Sequence, residues 1–132
     1  MRKTSKQNTV LAVDDYPAGL MVLTMLLELE GYAVETANCG LAAVEKVRAA
    51  TEPYKAILMD IKMHDIDGFE VTKIIRQIEV EKDYRNNIIA VTANAISGYE
   101  QFCLDSGMDD YISKPINPTV LAQKLASICI AA

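Results

Sequence analysis

Short, nearly uninterrupted apolar runs alternate along the chain with longer segments whose apolar residues recur at helical spacing. The short runs predict buried strands, and the longer segments predict amphipathic helices. The predicted strands are residues 9–13, 56–59, 88–91 and 111–113, together with residues 32–37, where apolar and polar residues alternate. The predicted helices are residues 17–30, 40–50, 69–79, 96–106 and 118–128. The chain therefore repeats a strand–helix unit five times.

Apolar strands separated by helices are typical of a parallel sheet that is covered on both faces. The predicted fold class is therefore α/β, as a single doubly wound domain of five strand–helix units. A length of 132 residues fits one domain, and 51% hydrophobic residues are enough for a core. We expect residues 1–8, which are basic and polar, to form a flexible tail, and residues 9–130 to form the domain.

Charge and composition exclude several classes of protein. The net charge of −5 argues against direct nucleic-acid binding, which needs a basic face. No apolar run approaches the roughly 18 to 20 residues that span a bilayer, so we expect no direct membrane contact. Cys39, Cys103 and Cys129 are widely spaced and odd in number, which favours reduced thiols packed in the core of a cytoplasmic protein.

Polar side chains follow the predicted strands where each one ends. Asp14 and Asp15 follow the first strand, Asp60 the third and Thr92 the fourth, and the fifth leads into Lys114. In an open α/β sheet, ligands bind beyond the carboxyl ends of the strands. We therefore expect three carboxylates, a hydroxyl and an ammonium to meet at one edge.

Three neighbouring carboxylates repel one another unless a cation relieves the repulsion. Oxygen ligands favour a hard ion, and a small site with few protein ligands favours Mg²⁺ over Ca²⁺. A metal beside a hydroxyl and a lysine suits a phosphoryl group, and a carboxylate can itself accept that group as an aspartyl phosphate. Each residue taken alone also has an ordinary interpretation, such as a helix cap for Asp14 or Asp15 and a solvated surface side chain for Lys114.

Four segments together resemble a response-regulator receiver domain. They are Asp14-Asp15, residues 60–68 (DIKMHDIDG), residues 91–95 (VTANA) and residues 107–115 (GMDDYISKP). The resemblance covers roughly residues 9–130, and its wording is most similar to receivers attached to hybrid sensor histidine kinases. It implies a flavodoxin-like sheet of five parallel strands in the order 2-1-3-4-5.

The resemblance also implies roles for individual residues. Asp60 would accept a phosphoryl group from a phosphohistidine. Asp14, Asp15, Asp60 and the backbone carbonyl of Lys62 would hold Mg²⁺, with Asp14 acting largely through water. Thr92 and Lys114 would bind phosphoryl oxygens, Thr92 and Tyr111 would form a conformational switch, and Pro115 would follow a cis peptide bond.

The implied partner is a histidine kinase or a histidine-phosphotransfer domain, and weak homodimerisation is compatible with the family. The first helix is apolar on more than one stripe, with Met21, Val22, Met25 and Leu26 beside the core positions. These residues are either core or a docking face for a phosphotransfer helix. One departure from the family is His64, where a proline is common. It is either a solvated loop residue or a group that makes the site pH-dependent.

Two other functions compete with a phospho-acceptor signalling module that is not an enzyme. A phosphatase or phosphomutase that forms its own aspartyl phosphate would need a second acid two residues after the nucleophile, where this chain has Lys62. A degenerate receiver that only binds proteins would lack an acid or the lysine, and both are present. The sequence therefore predicts a phosphorylatable receiver.

Overall fold

The computed structural model describes residues 8–93 and 96–128. The strands are β1 (Thr9–Val13), β2 (Ala33–Ala37), β3 (Ala56–Asp60), β4 (Ile88–Thr92) and β5 (Asp110–Ser113). The helices are α1 (Pro17–Leu29), α2 (Gly40–Ala49), α3 (Gly68–Lys82), α4 (Tyr99–Asp105) and α5 (Pro118–Ala126). The predicted alternation of strands and helices is confirmed over the described residues. The predicted tail falls mostly on residues 1–7, outside the described residues, as does Cys129.

The five strands form one parallel sheet in the order β2-β1-β3-β4-β5. Alternate residues of β1 face opposite sides, because successive side chains of a strand point to opposite faces. Leu11 and Val13 pack beneath α2, α3 and α4, whereas Val10 and Ala12 pack beneath α1 and α5. The three central strands, β1, β3 and β4, are buried along their whole length, which confirms the doubly wound architecture.

Helix α4 begins three residues later than the apolar spacing predicts. Gly98 precedes it with φ of +90°, a left-handed conformation that a helix cannot contain and that glycine adopts without strain. Helix α3 runs further than predicted, to Lys82, and ends where Asp83 adopts φ of +60°. Aspartate tolerates this conformation, so the sequence carries no strong stop signal there.

Helix α1 buries only part of its apolar surface. Leu23 and Leu27 face the sheet and are buried. Met21, Val22 and Met25 are each more than half exposed, so the interpretation of these three residues as core is wrong. Leu26 is partly buried against the core, as that interpretation predicts. A helix that lies on a sheet buries one stripe, and the second stripe of α1 points to solvent.

Candidate functional site

The three predicted acids meet at the carboxyl edge of the sheet. Asp14 and Asp15 follow β1, and Asp60 is the last residue of the adjacent strand β3. One carboxylate oxygen from each of the three lies within 4.8 Å of the other two. Asp14 and Asp60 are buried, whereas Asp15 is only partly so. The spacing and the all-oxygen chemistry fit a small hard cation such as Mg²⁺.

Lys114 reaches this acidic cluster from the loop after β5. Its Nζ donates a hydrogen bond to Asp60 Oδ1 at 3.2 Å and lies 3.8 Å from Asp14 Oδ2. The Lys114 N–H donates to the Thr92 carbonyl at 2.8 Å, which fixes the loop against the end of β4. The Lys114–Pro115 peptide bond is cis, as the sequence resemblance implies.

Burial raises the pKa of Asp60 to about 6. The Lys114 ammonium opposes this rise, while the Asp14 carboxylate adds to it by charge repulsion and by a shared hydrogen bond. The carboxylates of Asp14 and Asp60 together carry two negative charges, which the single positive charge of Lys114 only partly neutralises. This imbalance favours a bound cation, which would hold Asp60 in its ionised form.

The loop after Asp60 is anchored on two sides. The His64 N–H donates to Asp15 Oδ2 at 2.8 Å, and His64 Nδ1 contacts the same oxygen. Asp65 accepts hydrogen bonds from the N–H groups of Gly40 and Leu41, at 3.0 and 2.8 Å. Asp65 thereby caps the first turn of α2.

The electrostatic effect of this cap is visible at Asp65 itself. The slight burial of the side chain acts to raise the pKa of Asp65, but the backbone hydrogen bonds outweigh it and lower the pKa to about 2. Sequence reasoning gave this residue no role, because its partners lie 24 and 25 residues away along the chain.

Gly68 holds the end of β3 in place from the start of α3. Its N–H donates to the Ile61 carbonyl at 2.7 Å. A Cβ atom at this position would lie 2.7 Å from the Asp60 carbonyl oxygen and 3.0 Å from Ile61 Cα. The absence of a side chain therefore allows α3 to pack directly against the backbone that carries Asp60.

A cavity of about 510 Å³ opens above the acidic cluster. It is lined by Asp14, Asp15 and Asp60 together with Lys62, Thr92 and Lys114. Thr92 is buried at the end of β4, and Lys62 is exposed on the loop after β3. The structure therefore brings together every acid, hydroxyl and lysine that the sequence places at this edge.

Tyr111 is not among the residues that line this cavity. It stands on β5 opposite Ala90 and is half-buried against the core cluster beneath α2, α3 and α4. Residues 94 and 95 of the VTANA segment lie outside the described residues.

A second cavity, of about 410 Å³, adjoins the site between α1 and the loop after β5. Asp14, Asp60 and Lys114 form its polar end, and its other lining residues are mostly apolar side chains such as Val22 and Ile116. Val22, one residue of the exposed stripe of α1, thus lines the cavity that reaches Asp60. No helix among the described residues is long and apolar enough to cross a membrane.

The doubly wound sheet with an acid cluster at its carboxyl edge is the arrangement of a receiver domain. The chain belongs to the response regulator receiver domain family, whose sequence profile matches residues 10–126. Its relatives include sensor histidine kinase GacS of Pseudomonas protegens, 40% identical over 121 residues, which are 91% of this chain and 13% of that protein. Histidine-protein kinase BarA of Escherichia coli is 44% identical over 108 residues, which are 82% of this chain and 11% of that protein.

Solved structures show the same fold. The receiver domain of sensor histidine kinase PA1611 from Pseudomonas aeruginosa has a TM-score of 0.80 and 36% identity, over 92% of this chain and 96% of that one. That structure has a magnesium ion coordinated in its active-site cleft. The Saccharomyces cerevisiae receiver domain of Ssk1, crystallised with the histidine phosphotransfer protein Ypd1, has a TM-score of 0.83 and 26% identity, over 96% of this chain and 91% of that one.

Proposed function

We propose that this chain is a phospho-acceptor receiver of a phosphorelay, and that Asp60 takes a phosphoryl group from a phosphohistidine. The observation that carries the proposal is the convergence of Asp14, Asp15 and Asp60 with Lys114 on one cavity. The similarity to receivers of histidine kinases supports it. The domain proposed to act comprises residues 9–130.

The transfer is a displacement at phosphorus. A carboxylate oxygen of Asp60 forms a bond to phosphorus as the phosphorus–nitrogen bond of the phosphohistidine breaks, and the departing imidazole keeps the electron pair and takes a proton. Lys114, which already contacts Asp60, binds one oxygen of the transferred group. Thr92 donates a hydrogen bond to another, and both interactions offset the charge that the group brings.

Asp14, Asp15, Asp60 and the backbone carbonyl of Lys62 are the residues that would hold Mg²⁺ in this proposal. The bound ion would neutralise charge on the phosphoryl oxygens and on the acids. The exposed apolar stripe of α1 is the proposed docking face for the helix of a histidine-phosphotransfer domain or kinase. Thr92 and Tyr111 are the proposed switch, since a phosphoryl group would offer the Thr92 hydroxyl a strong, charged acceptor.

The test is intact-mass spectrometry after incubation with acetyl phosphate and Mg²⁺. We expect the unmodified chain to gain about 80 Da, the mass of one phosphoryl group on a carboxylate. Asp60→Asn should gain nothing. The matched control is Asp67→Asn, seven residues along, which retains a capping side chain on α3 and should gain the same mass as the wild type.

Two results would count against the proposal. If Asp60→Asn gains the same mass as the wild type, Asp60 is not the phosphoryl acceptor. If the wild type is still labelled in EDTA, the reaction does not require a divalent metal ion. If acetyl phosphate fails to label the wild type, the phosphoryl mimic beryllofluoride with Mg²⁺ provides the second measurement. Failure of the mimic to bind would leave a receiver that only binds proteins.

A further inference from the structure

Gly19, the third residue of α1, lies against the carboxylate of Asp14. A Cβ atom at Gly19 would lie 2.7 Å from Asp14 Oδ2 and 3.5 Å from Asp14 Cγ, and the first distance is too short for van der Waals contact. Both residues line the cavity of about 410 Å³ beside α1. The first turn of α1 thus packs directly on a side chain that the proposed function uses to hold the metal ion.

The Asp14 carboxylate has little room to move away from such a Cβ atom. Asp14 is buried, with 5% of its surface exposed. Its Oδ1 accepts a hydrogen bond from the Tyr16 N–H at 2.9 Å, and its Oδ2 lies 3.8 Å from Lys114 Nζ. Oδ2 is the atom that a Cβ at residue 19 would meet. A side chain at this position would therefore shift Oδ2 relative to Lys114 and Asp60.

Helix formation does not explain the glycine at this position. The glycines with positive φ are Gly31, Gly98 and Gly107, so the backbone of Gly19 is one that any residue can adopt. Inside a helix, glycine is less favourable than alanine, because it loses more conformational freedom on folding. The close approach of α1 to the Asp14 carboxylate is the feature of the structure that requires a residue without a side chain.

We propose that Gly19 is a positioning residue for Mg²⁺ binding, because its missing side chain leaves the space in which the Asp14 carboxylate is held. The inference rests on the proposed function and adds a residue to it. Gly19 acts through Asp14 and has no side chain to offer the ion. Substitution of a residue that orients the ligands of a metal typically lowers metal affinity by about 10- to 100-fold. A substitution at Gly19 should therefore weaken Mg²⁺ binding without unfolding the protein.

The experiment measures Mg²⁺ affinity by isothermal titration calorimetry and stability by urea unfolding in EDTA. Gly19→Ala should bind Mg²⁺ roughly ten-fold or more weakly than the wild type. Its urea midpoint in EDTA should change little, because the higher helix propensity of alanine opposes the cost of moving Asp14.

The control variant is Thr24→Ala, which also raises the helix propensity of α1 but adds no atom beside Asp14. The Thr24 hydroxyl donates a hydrogen bond to the Leu20 carbonyl at 2.8 Å, within the same helix. The Mg²⁺ affinity of Thr24→Ala should equal that of the wild type. A ten-fold loss in this variant as well would show that any change in α1 weakens the metal site, and would overturn a specific role for Gly19.

A second background, Asp14→Ala, tests whether Gly19 acts through Asp14. Truncation of Asp14 removes the carboxylate that the new Cβ atom would meet. In this background, Gly19→Ala should raise the urea midpoint in EDTA, because only the gain in helix propensity remains. A fall of the midpoint in this background would show that the Cβ atom disrupts α1 itself, and would overturn the inference.

The metal titrations separate failure of the inference from failure of the proposed function. If Gly19→Ala binds Mg²⁺ as tightly as the wild type does, the inference is wrong and the proposed function stands. If the wild type itself does not bind Mg²⁺, the metal site of the proposed function is wrong, and the role of Gly19 is excluded with it.

Discussion

At the scale of single residues, the site is built from unequal acids. Asp14 and Asp60 are both buried, yet Lys114 lies closer to Asp60, and burial still leaves Asp60 with a pKa of about 6. The folded protein therefore binds the Asp60 proton more tightly than the unfolded chain, whose carboxyl titrates near 4. Without a bound metal ion, ionisation of Asp60 therefore destabilises the folded protein.

The sign of the pH dependence follows from the raised pKa. Stabilisation from the Asp60 proton is complete below about pH 4, the unfolded value, and is lost as pH rises through about 6. Asp60→Asn, which cannot ionise, should be more stable than the wild type by ~1–2 kcal/mol at pH 7.5 in EDTA. Urea unfolding at pH 7.5 and at pH 4 measures the difference, which should shrink at the lower pH.

Saturating Mg²⁺ provides the control for that experiment. A ligand that binds only the folded protein stabilises it, and Asp60→Asn lacks one proposed ligand. The advantage of Asp60→Asn should therefore fall or reverse when Mg²⁺ is added. If the stability difference between Asp60→Asn and the wild type is constant from pH 4 to pH 7.5, ionisation of Asp60 does not destabilise the fold.

At the scale of elements, the sequence predicts the repeated strands and helices, but it does not predict features that depend on contacts between residues far apart in the chain. Apolar runs locate β1, β3 and β4, because these central strands are buried on both faces, and the alternation of residues 32–37 locates the partly exposed edge strand β2. The start of α4 is missed, since Gly98 interrupts an otherwise suitable helical spacing. The cap that Asp65 places on α2 is missed as well, because it joins two segments whose relative placement exists only in the fold.

The site itself is predicted better than its supports. Asp14, Asp15, Asp60, Thr92 and Lys114 each stand at a strand end, so one topological rule collects them. The exposed stripe of α1 was ambiguous, because apolar periodicity alone does not say which of two stripes faces the sheet. Only the packing of Leu23 and Leu27 decides that question.

Gly68 allows the start of α3 to pack closely against the end of β3. Gly68→Ala would force a Cβ atom to within 2.7 Å of the Asp60 carbonyl oxygen, and α3 would have to shift away from β3. We expect a loss of about 1–3 kcal/mol in the free energy of unfolding, as for other overpacked sites. Urea unfolding measures it. Gln77→Ala, an exposed change on the same helix, should stay within ~0.5 kcal/mol, and an unchanged Gly68→Ala protein would contradict the argument.

At the scale of the whole molecule, the two faces of the sheet carry different surfaces. On one side, α2, α3 and α4 cover the larger core cluster and hold the loop after Asp60 through Asp65 and Gly68. On the other, α1 presents the exposed side chains of Met21, Val22 and Met25, and Val22 lines the cavity that reaches Asp60. A protein donor must bring its phosphohistidine to this edge, whereas a small phosphodonor needs only the cavity.

A comparison of the two kinds of donor therefore distinguishes loss of partner docking from damage to the phosphorylation site. Met25→Asp places a charge on the exposed stripe of α1, where the side chain is 55% exposed, so the fold should keep its stability. Phosphoryl transfer from a phosphorylated histidine-phosphotransfer protein should slow by roughly ten-fold or more, as expected when a charge enters an apolar contact. Labelling by acetyl phosphate should be unchanged. Val80→Asp, the same kind of change at an 80% exposed position on α3, is the control and should affect neither donor. Slower labelling of Met25→Asp by both donors would show damage to the site, and unchanged transfer from the protein donor would exclude this stripe of α1 as the docking face.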